Sequence, residues 1–147
     1  VMSLLHGTCI AIGANAILLR GAPGSGKSDL ALRLLGRTDL AAQLIADDQV
    51  EVVRREDQLW ARTPASIAGL LEVRGIGIAH LDCLAEARLR LVLDLLPIAD
   101  VPRMPVAATC TIDDIALPLY PCAPFEASAP DKVALLARSL DEDILRS

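Results

Sequence analysis

An α/β fold is what this sequence predicts, on three observations. A short apolar strand runs directly into a glycine-rich loop and then into a leucine-rich helix. Further short apolar runs are separated by Gly, Pro, Asn and Asp turn signals. The composition is 53% hydrophobic but only 2% aromatic, so the core has to be built from Leu, Ile, Val and Ala. At 147 residues the chain suits a single domain over residues 1–147, with one active site.

Taken in order, Thr8–Ile12 and residues 16–20 are apolar and separated by Gly13-Ala14-Asn15, which predicts two strands and a tight turn. The second strand leads into Gly21, and beyond the loop Leu30, Ala31, Leu32, Leu34 and Leu35 make a mostly apolar helix ending near Gly36. Residues 43–47 form a strand ending in two carboxylates, and 50–53 with 59–62 form a hairpin across Arg55-Glu56-Asp57-Gln58. The run LEVRGIGI at 71–78 places Glu72 and Arg74 on one face of an extended strand ahead of a glycine turn. Residues 89–95, LRLVLDL, make a buried strand, while Pro97, Pro102 and Pro105 make the stretch 97–105 a loop, a candidate mobile flap. Further strands are expected at 109–112 and 115–119. Ser128, Pro130 and Asp131 supply the cap, early proline and acidic first turn of a last helix, whose apolar face carries Val133, Leu135, Leu136, Leu140 and Ile144.

Composition also excludes. With 14 Lys plus Arg against 19 Asp plus Glu and no basic run, a general nucleic-acid role is disfavoured. Cys9, Cys83, Cys110 and Cys122 lie far apart without a CxxC pair, so neither a zinc ribbon nor a thioredoxin-type motif is available, and free thiols in a reducing cytoplasm are expected. The apolar run 8–19 is interrupted at Gly13 and Asn15, so no signal peptide or membrane span is expected.

Gly21-Ala22-Pro23-Gly24-Ser25-Gly26-Lys27-Ser28 fits G-x-x-x-x-G-K-[ST], and it lies between strand and helix as that phosphate-binding P-loop requires. Glycines let successive backbone N–H groups turn inward around phosphate oxygens, and the helix behind presents its positive end. Lys27 is then placed to neutralise β- and γ-phosphates, and the short hydroxyl of Ser28 to reach a Mg²⁺ that bridges them. ATP with Mg²⁺ is the expected ligand; no N-K-x-D segment is present to read guanine.

Such a loop still needs acids. Two strand ends offer them, LIADD at 44–48 and LVLD at 91–94, and spacing alone does not choose between Asp47 or Asp48 and Asp94. Adjacent aspartates point to opposite sides of a continuing strand, so at most one faces the phosphates unless the backbone bends. Glu72 and Arg74 are equally compatible with metal and phosphate contacts or with a surface ion pair.

His6-Gly7, GAPGSGKSD at 21–29, LIADD at 44–48 and LEVRGIGI at 71–78, in this order, resemble the catalytic domain of the HPr kinase/phosphorylases. The likeness runs from His6 to about Arg103, with a weaker echo at Pro124-Phe125-Glu126-Ala127. It implies a P-loop domain with a mixed sheet, similar to that catalytic domain and to the nucleotide-binding domain of phosphoenolpyruvate carboxykinase. It implies a cytoplasmic, homo-oligomeric enzyme that uses ATP to phosphorylate a serine of HPr, the small phosphocarrier of the sugar phosphotransferase system; many members also reverse the step by phosphorolysis. Carried over by motif, Asp47 is the base that takes the serine proton, Asp48 and Glu72 join Ser28 around the metal, and His6 stands by the reacting phosphate. Arg74 belongs to the signature segment, and Arg103 is similar to an arginine on a loop closing over the site.

Longer members add an N-terminal domain and a more extended C-terminal helical region, so the chain resembles a short, catalytic-domain form. The hexameric assembly, phosphorolysis and HPr recognition are the properties that this difference touches. A P-loop kinase for a small metabolite and a non-catalytic ATP-sensing module remain the alternatives.

Overall fold

A computed structural model describes residues 2–145. Among them β1 (Met2–His6), β2 (Thr8–Ile12), β3 (Asn15–Arg20), β4 (Ala42–Ala46), β5 (Gln49–Arg55), β6 (Gln58–Arg62), β9 (Glu86–Leu95), β10 (Ala108–Ile112) and β11 (Ile115–Cys122) share one sheet. A separate ribbon joins β7 (Leu70–Val73) to β8 (Gly77–His80). The α-helices are α1 (Lys27–Leu35) and α2 (Ala129–Ser139), with single 3-10 turns at Ala65–Ile67 and Ile98–Asp100. The architecture is α/β with a mixed sheet, as the sequence predicts.

The sheet runs β1-β5-β6-β9-β3-β2-β4, with β11 continuing parallel to the second half of β9 and β10 antiparallel beyond it. Because β2 is antiparallel to both β3 and β4, while β9 is parallel to β3 and to β11, the strands β4, β3, β9 and β11 all point the same way. Their carboxyl ends therefore meet at one edge of the molecule, the place where open α/β sheets bind ligands.

Strand alternation separates two cores. Ile10, Ile17 and Leu19 join Leu30, Ala31 and Leu34 of α1 and Ala129, Val133 and Ala137 of α2 on one face. Cys9, Ala11, Ala16 and Leu18 face the other way, against Val50, Val52, Leu59 and Ala61, because the sheet curls over itself. In β9, Leu89 belongs to the second cluster and Leu91 to the first, despite their even spacing. The register against β3 slips there, Ala16 pairing Leu89 and Ile17 pairing Leu91, so Arg90 is the bulged residue that resets the parity. No aromatic side chain is among the buried core residues, in keeping with the composition.

Several expectations are corrected. The segment 71–78 is not one strand: it breaks after Val73 and returns as β8, so Arg74 lies in the turn rather than on the strand face with Glu72. The helix α2 starts after Ser128 with an early proline and Asp131, but the Ser128 side chain makes no cap bond. Its buried face is Ala129, Pro130, Val133 and Ala137; Leu135 is exposed and Ile144 lies beyond the helix end. The strand β1 is an addition to the expected elements. It lies one residue before β2, and Gly7 makes that corner possible, since a Cβ there would stand 2.6 Å from the Leu19 carbonyl oxygen. The stretch 97–105 is not wholly loop: Ile98–Asp100 makes a single 3-10 turn behind Pro97, and residues 101–105 carry no helix or strand, as the prolines imply.

Candidate active site

The loop Gly21–Ser28 leaves the end of β3 and re-enters as α1. Gly26, the residue before the helix, has φ 103°, a left-handed conformation that a β-carbon strains. The helix begins without a side-chain cap, so its first N–H groups have no side-chain acceptor. Inside the loop the buried Ser25 hydroxyl has no hydrogen-bond partner. Lys27 folds back, its Nζ donating to the carbonyls of Gly21 at 2.7 Å and Ala22 at 3.1 Å. Uncapped donors, an orphaned hydroxyl and a lysine resting on its own loop together fit a polyphosphate, whose oxygens would satisfy all three.

Asp47 follows β4, two strands away from β3. Its Oδ1 accepts from the Thr8 hydroxyl at 2.7 Å and from Ser28 Oγ at 3.1 Å; Oδ2 lies 3.3 Å from Ser28 Oγ and 3.4 Å from the donating backbone N of Glu72. The backbone does bend after it: Asp48 has φ 74°, and its carbonyl accepts from Gly7 N at 3.0 Å. The Asp48 carboxylate consequently turns to His6, with Oδ1 3.5 Å from Nδ1. The expected residues thus fall into two groups, Ser28 with Asp47 and the amide of Glu72, and His6 with Asp48. The Glu72 side chain and Arg74 are exposed, as is Arg103 in the loop after β9. Among the described residues neither Arg74 nor Arg103 makes a side-chain hydrogen bond.

Thr8 is the site residue that sequence reasoning misses. Its single signal is a hydroxyl opening an otherwise apolar strand, and it is fully buried.

Asp94 ends at the same edge but is committed elsewhere. Both its oxygens accept from Arg20, at 2.8 and 3.0 Å, across the in-register pair of β3 and β9. That hydrogen bond holds the Arg20 guanidinium above its ordinary range.

Among the described residues no three His, Cys, Asp or Glu side chains converge on one point. Mg²⁺ does not require such a cage, since it is ordinarily held by one or two protein oxygens together with phosphate and water. The oxygen donors around Ser28 suit that mode.

A groove of about 1070 Å³ lies elsewhere. It lies at the other end of β3, between Asn15, Arg90 and α2. Three of its arginines are already engaged: Arg37 with Asp39 and Asp131, Arg90 with Asp141, Arg138 with Glu142.

Residues 2–87 match the family model described as the HPr serine kinase C-terminal domain. The chain is 34% identical over 125 residues to an HPr kinase/phosphorylase of Burkholderia lata, an alignment covering 78% of this chain and 38% of that protein. It is 42% identical over 84 residues to the one from Halalkalibacterium halodurans, covering 56% of this chain and 26% of that protein. It therefore spans well under half the length of these curated relatives. The fold is similar to that of the Hpr(Ser) kinase/phosphatase from Coxiella burnetii, with a TM-score of 0.80, 24% identity, and coverage of 94% of this chain and 90% of that one. The glycine loop, Asp47, Asp48, Glu72 and Arg74 all fall within the matched segment, and the chain belongs to the HPr serine kinase C-terminal domain family.

Proposed function

We propose that the chain is an ATP-dependent kinase that phosphorylates a serine of HPr, acting in the cytoplasm as a homo-oligomer. The glycine loop serves as a P-loop, on a scaffold related to the nucleotide-binding domain of phosphoenolpyruvate carboxykinase. The observation that carries this is the contact of Ser28 Oγ with Asp47 at 3.1 Å, which joins the phosphate loop to an acid from another strand. The relatives' name, HPr kinase/phosphorylase, extends the reading to removal of the phosphate by phosphorolysis.

In this reading the loop amides and Lys27 hold the β- and γ-phosphates, Lys27 exchanging its loop carbonyls for phosphate oxygens. Ser28, Asp48 and Glu72 would supply oxygens to Mg²⁺, which would offset charge on those phosphates. Asp47, fixed by Thr8 and Ser28, takes the proton of the acceptor serine as its oxygen bonds to the γ-phosphorus and the bond to ADP breaks. Arg74 and Arg103 are the cations available to the transferred group, and His6 stands beside them as a hydrogen-bonding side chain.

The deciding experiment is transfer of labelled γ-phosphate from ATP to an HPr-type protein, with Lys27→Ala as control. Label on an HPr serine, absent with Lys27→Ala, is expected. Label on a small hydroxyl compound but not on HPr would make the chain a metabolite kinase. Nucleotide binding with no turnover on any acceptor would make it a sensor.

A further inference from the structure

The chain has one phenylalanine, Phe125, and 71% of it is exposed. It follows β11, in the segment between that strand and α2. A Cβ built on Gly26 would stand 2.9 Å from Phe125 Cζ and 3.0 Å from Pro124, so the ring rests directly on the glycine before α1. Its position is clamped: Arg33 of α1 donates to the carbonyls of Pro124 and, at 3.3 Å, Glu126, while its Nε is held by Asp29 at 3.1 Å. An aromatic ring with one edge packed on a phosphate loop and the rest open to solvent is a rigid, unsatisfied apolar surface.

The sheet order gives that surface a direction. With β3 and its loop in the middle, Asp47 follows β4 on one flank and Phe125 follows β11 on the other. Ser28 faces Asp47, and Gly26 faces Phe125. The transferred phosphoryl group belongs on the acidic flank, where a hydroxyl and a carboxylate meet. The other end of the nucleotide must leave the loop on the opposite flank, where the ring stands.

We propose that Phe125 is a base-stacking residue, whose open face takes the nucleobase of the nucleotide held by the glycine loop. The inference rests on the phosphate-loop reading above and adds to it the residue that distinguishes a nucleoside triphosphate from bare polyphosphate. Stacking is tolerant of base identity because every base has a π-face, so this contact alone separates ATP from GTP weakly.

The test is titration of wild-type, Phe125→Ala, Phe125→Trp and Lys27→Ala proteins with Mg²⁺-ATP, Mg²⁺-GTP and Mg²⁺-tripolyphosphate. Phe125→Ala should weaken ATP and GTP by about tenfold or more and leave tripolyphosphate unchanged. Phe125→Trp should restore the affinity, its added fluorescence quenched by ATP and not by tripolyphosphate. Lys27→Ala should weaken all three ligands. Equal weakening of ATP and tripolyphosphate by Phe125→Ala would overturn the proposal, as a distortion of the loop, and so would unchanged ATP binding. A wild-type protein that binds none of the three ligands would remove the phosphate-loop reading itself, and this proposal with it.

Discussion

The buried hydroxyl of Thr8 donates to Asp47 Oδ1 at 2.7 Å, tying the first residue of β2 to the acid at the end of β4. The same carboxylate oxygen accepts from Ser28, so Thr8 fixes the angle at which Asp47 meets the glycine loop. A hydrogen bond to a carboxylate is worth about 1.5–3 kcal/mol. Thr8→Val, which keeps the shape and removes the donor, should lower unfolding free energy by an amount in that range and reduce kcat more than it raises KM. Thr8→Ser should restore both. Loss of stability with kcat intact would make Thr8 a folding residue only.

Lys27 tests the loop. Its Nζ rests on two loop carbonyls and its side chain is partly open, so little packing depends on it. Removing one preorganised donor from developing charge costs about 100- to 1000-fold in rate. Lys27→Ala should therefore reduce phosphoryl transfer by at least that factor, while its thermal midpoint stays near that of the wild type. A variant that transfers phosphate normally would remove the lysine from the chemistry.

Asp47 and Asp48 are neighbours with different surroundings, and their asparagine variants should separate. Asp47→Asn should abolish transfer while titration still detects Mg²⁺-ATP. Asp48→Asn should instead weaken Mg²⁺ binding, raising the Mg²⁺ concentration needed for half-maximal binding. The reverse pattern would exchange the two roles, an outcome for which the direct contact of Asp47 with Ser28 supplies the geometry.

Asp94 should behave as a structural residue. Its bidentate pair with Arg20 is about a third exposed, at 37% and 35% for the two side chains, and solvent screening leaves such a pair about 1 kcal/mol. Asp94→Asn is expected to cost about that much stability and to leave Mg²⁺ dependence untouched. A shifted Mg²⁺ requirement would return Asp94 to the metal site.

What was legible in the sequence is what local chemistry dictates. Gly21–Ser28 could be read because its backbone needs glycines at fixed spacing, and β2, β3 and β9 because apolar runs between turn residues leave few alternatives. Asp47, Asp48 and Glu72 could be named, but their mutual arrangement depends on the left-handed turn at Asp48 and the break after Val73, neither of which can be deduced from residue type alone. The link from Thr8 to Asp47 spans 39 residues and exists only because β4 pairs beside β2. The strand β1 is short, and its pairing with β5 is a tertiary choice that five residues do not announce. Phe125 enters the sequence reading only within the weaker likeness at 124–127; its exposure and its packing on Gly26 depend on how the segment after β11 folds back onto α1.

The last prediction concerns alkaline pH. All four cysteines are free, and burial pushes the thiols of Cys9, which is fully buried, and of Cys122 above their ordinary range. In the unfolded chain these thiols ionise near pH ~8.5, whereas the folded protein keeps them protonated. Above that pH the unfolded state binds fewer protons than the folded one, so stability falls as pH rises, by up to about 1.4 kcal/mol per pH unit for each thiol. Below about pH 8 the effect vanishes. Urea unfolding at pH 7, 9.5 and 10.5 should show this decline, and Cys9→Ala, although less stable at pH 7, should show a shallower one. An unchanged slope in Cys9→Ala would assign the alkaline loss to other groups. Native alkylation at pH 8 gives an independent check: Cys83 and Cys110, which are partly exposed, should label first, and Cys9 only on unfolding.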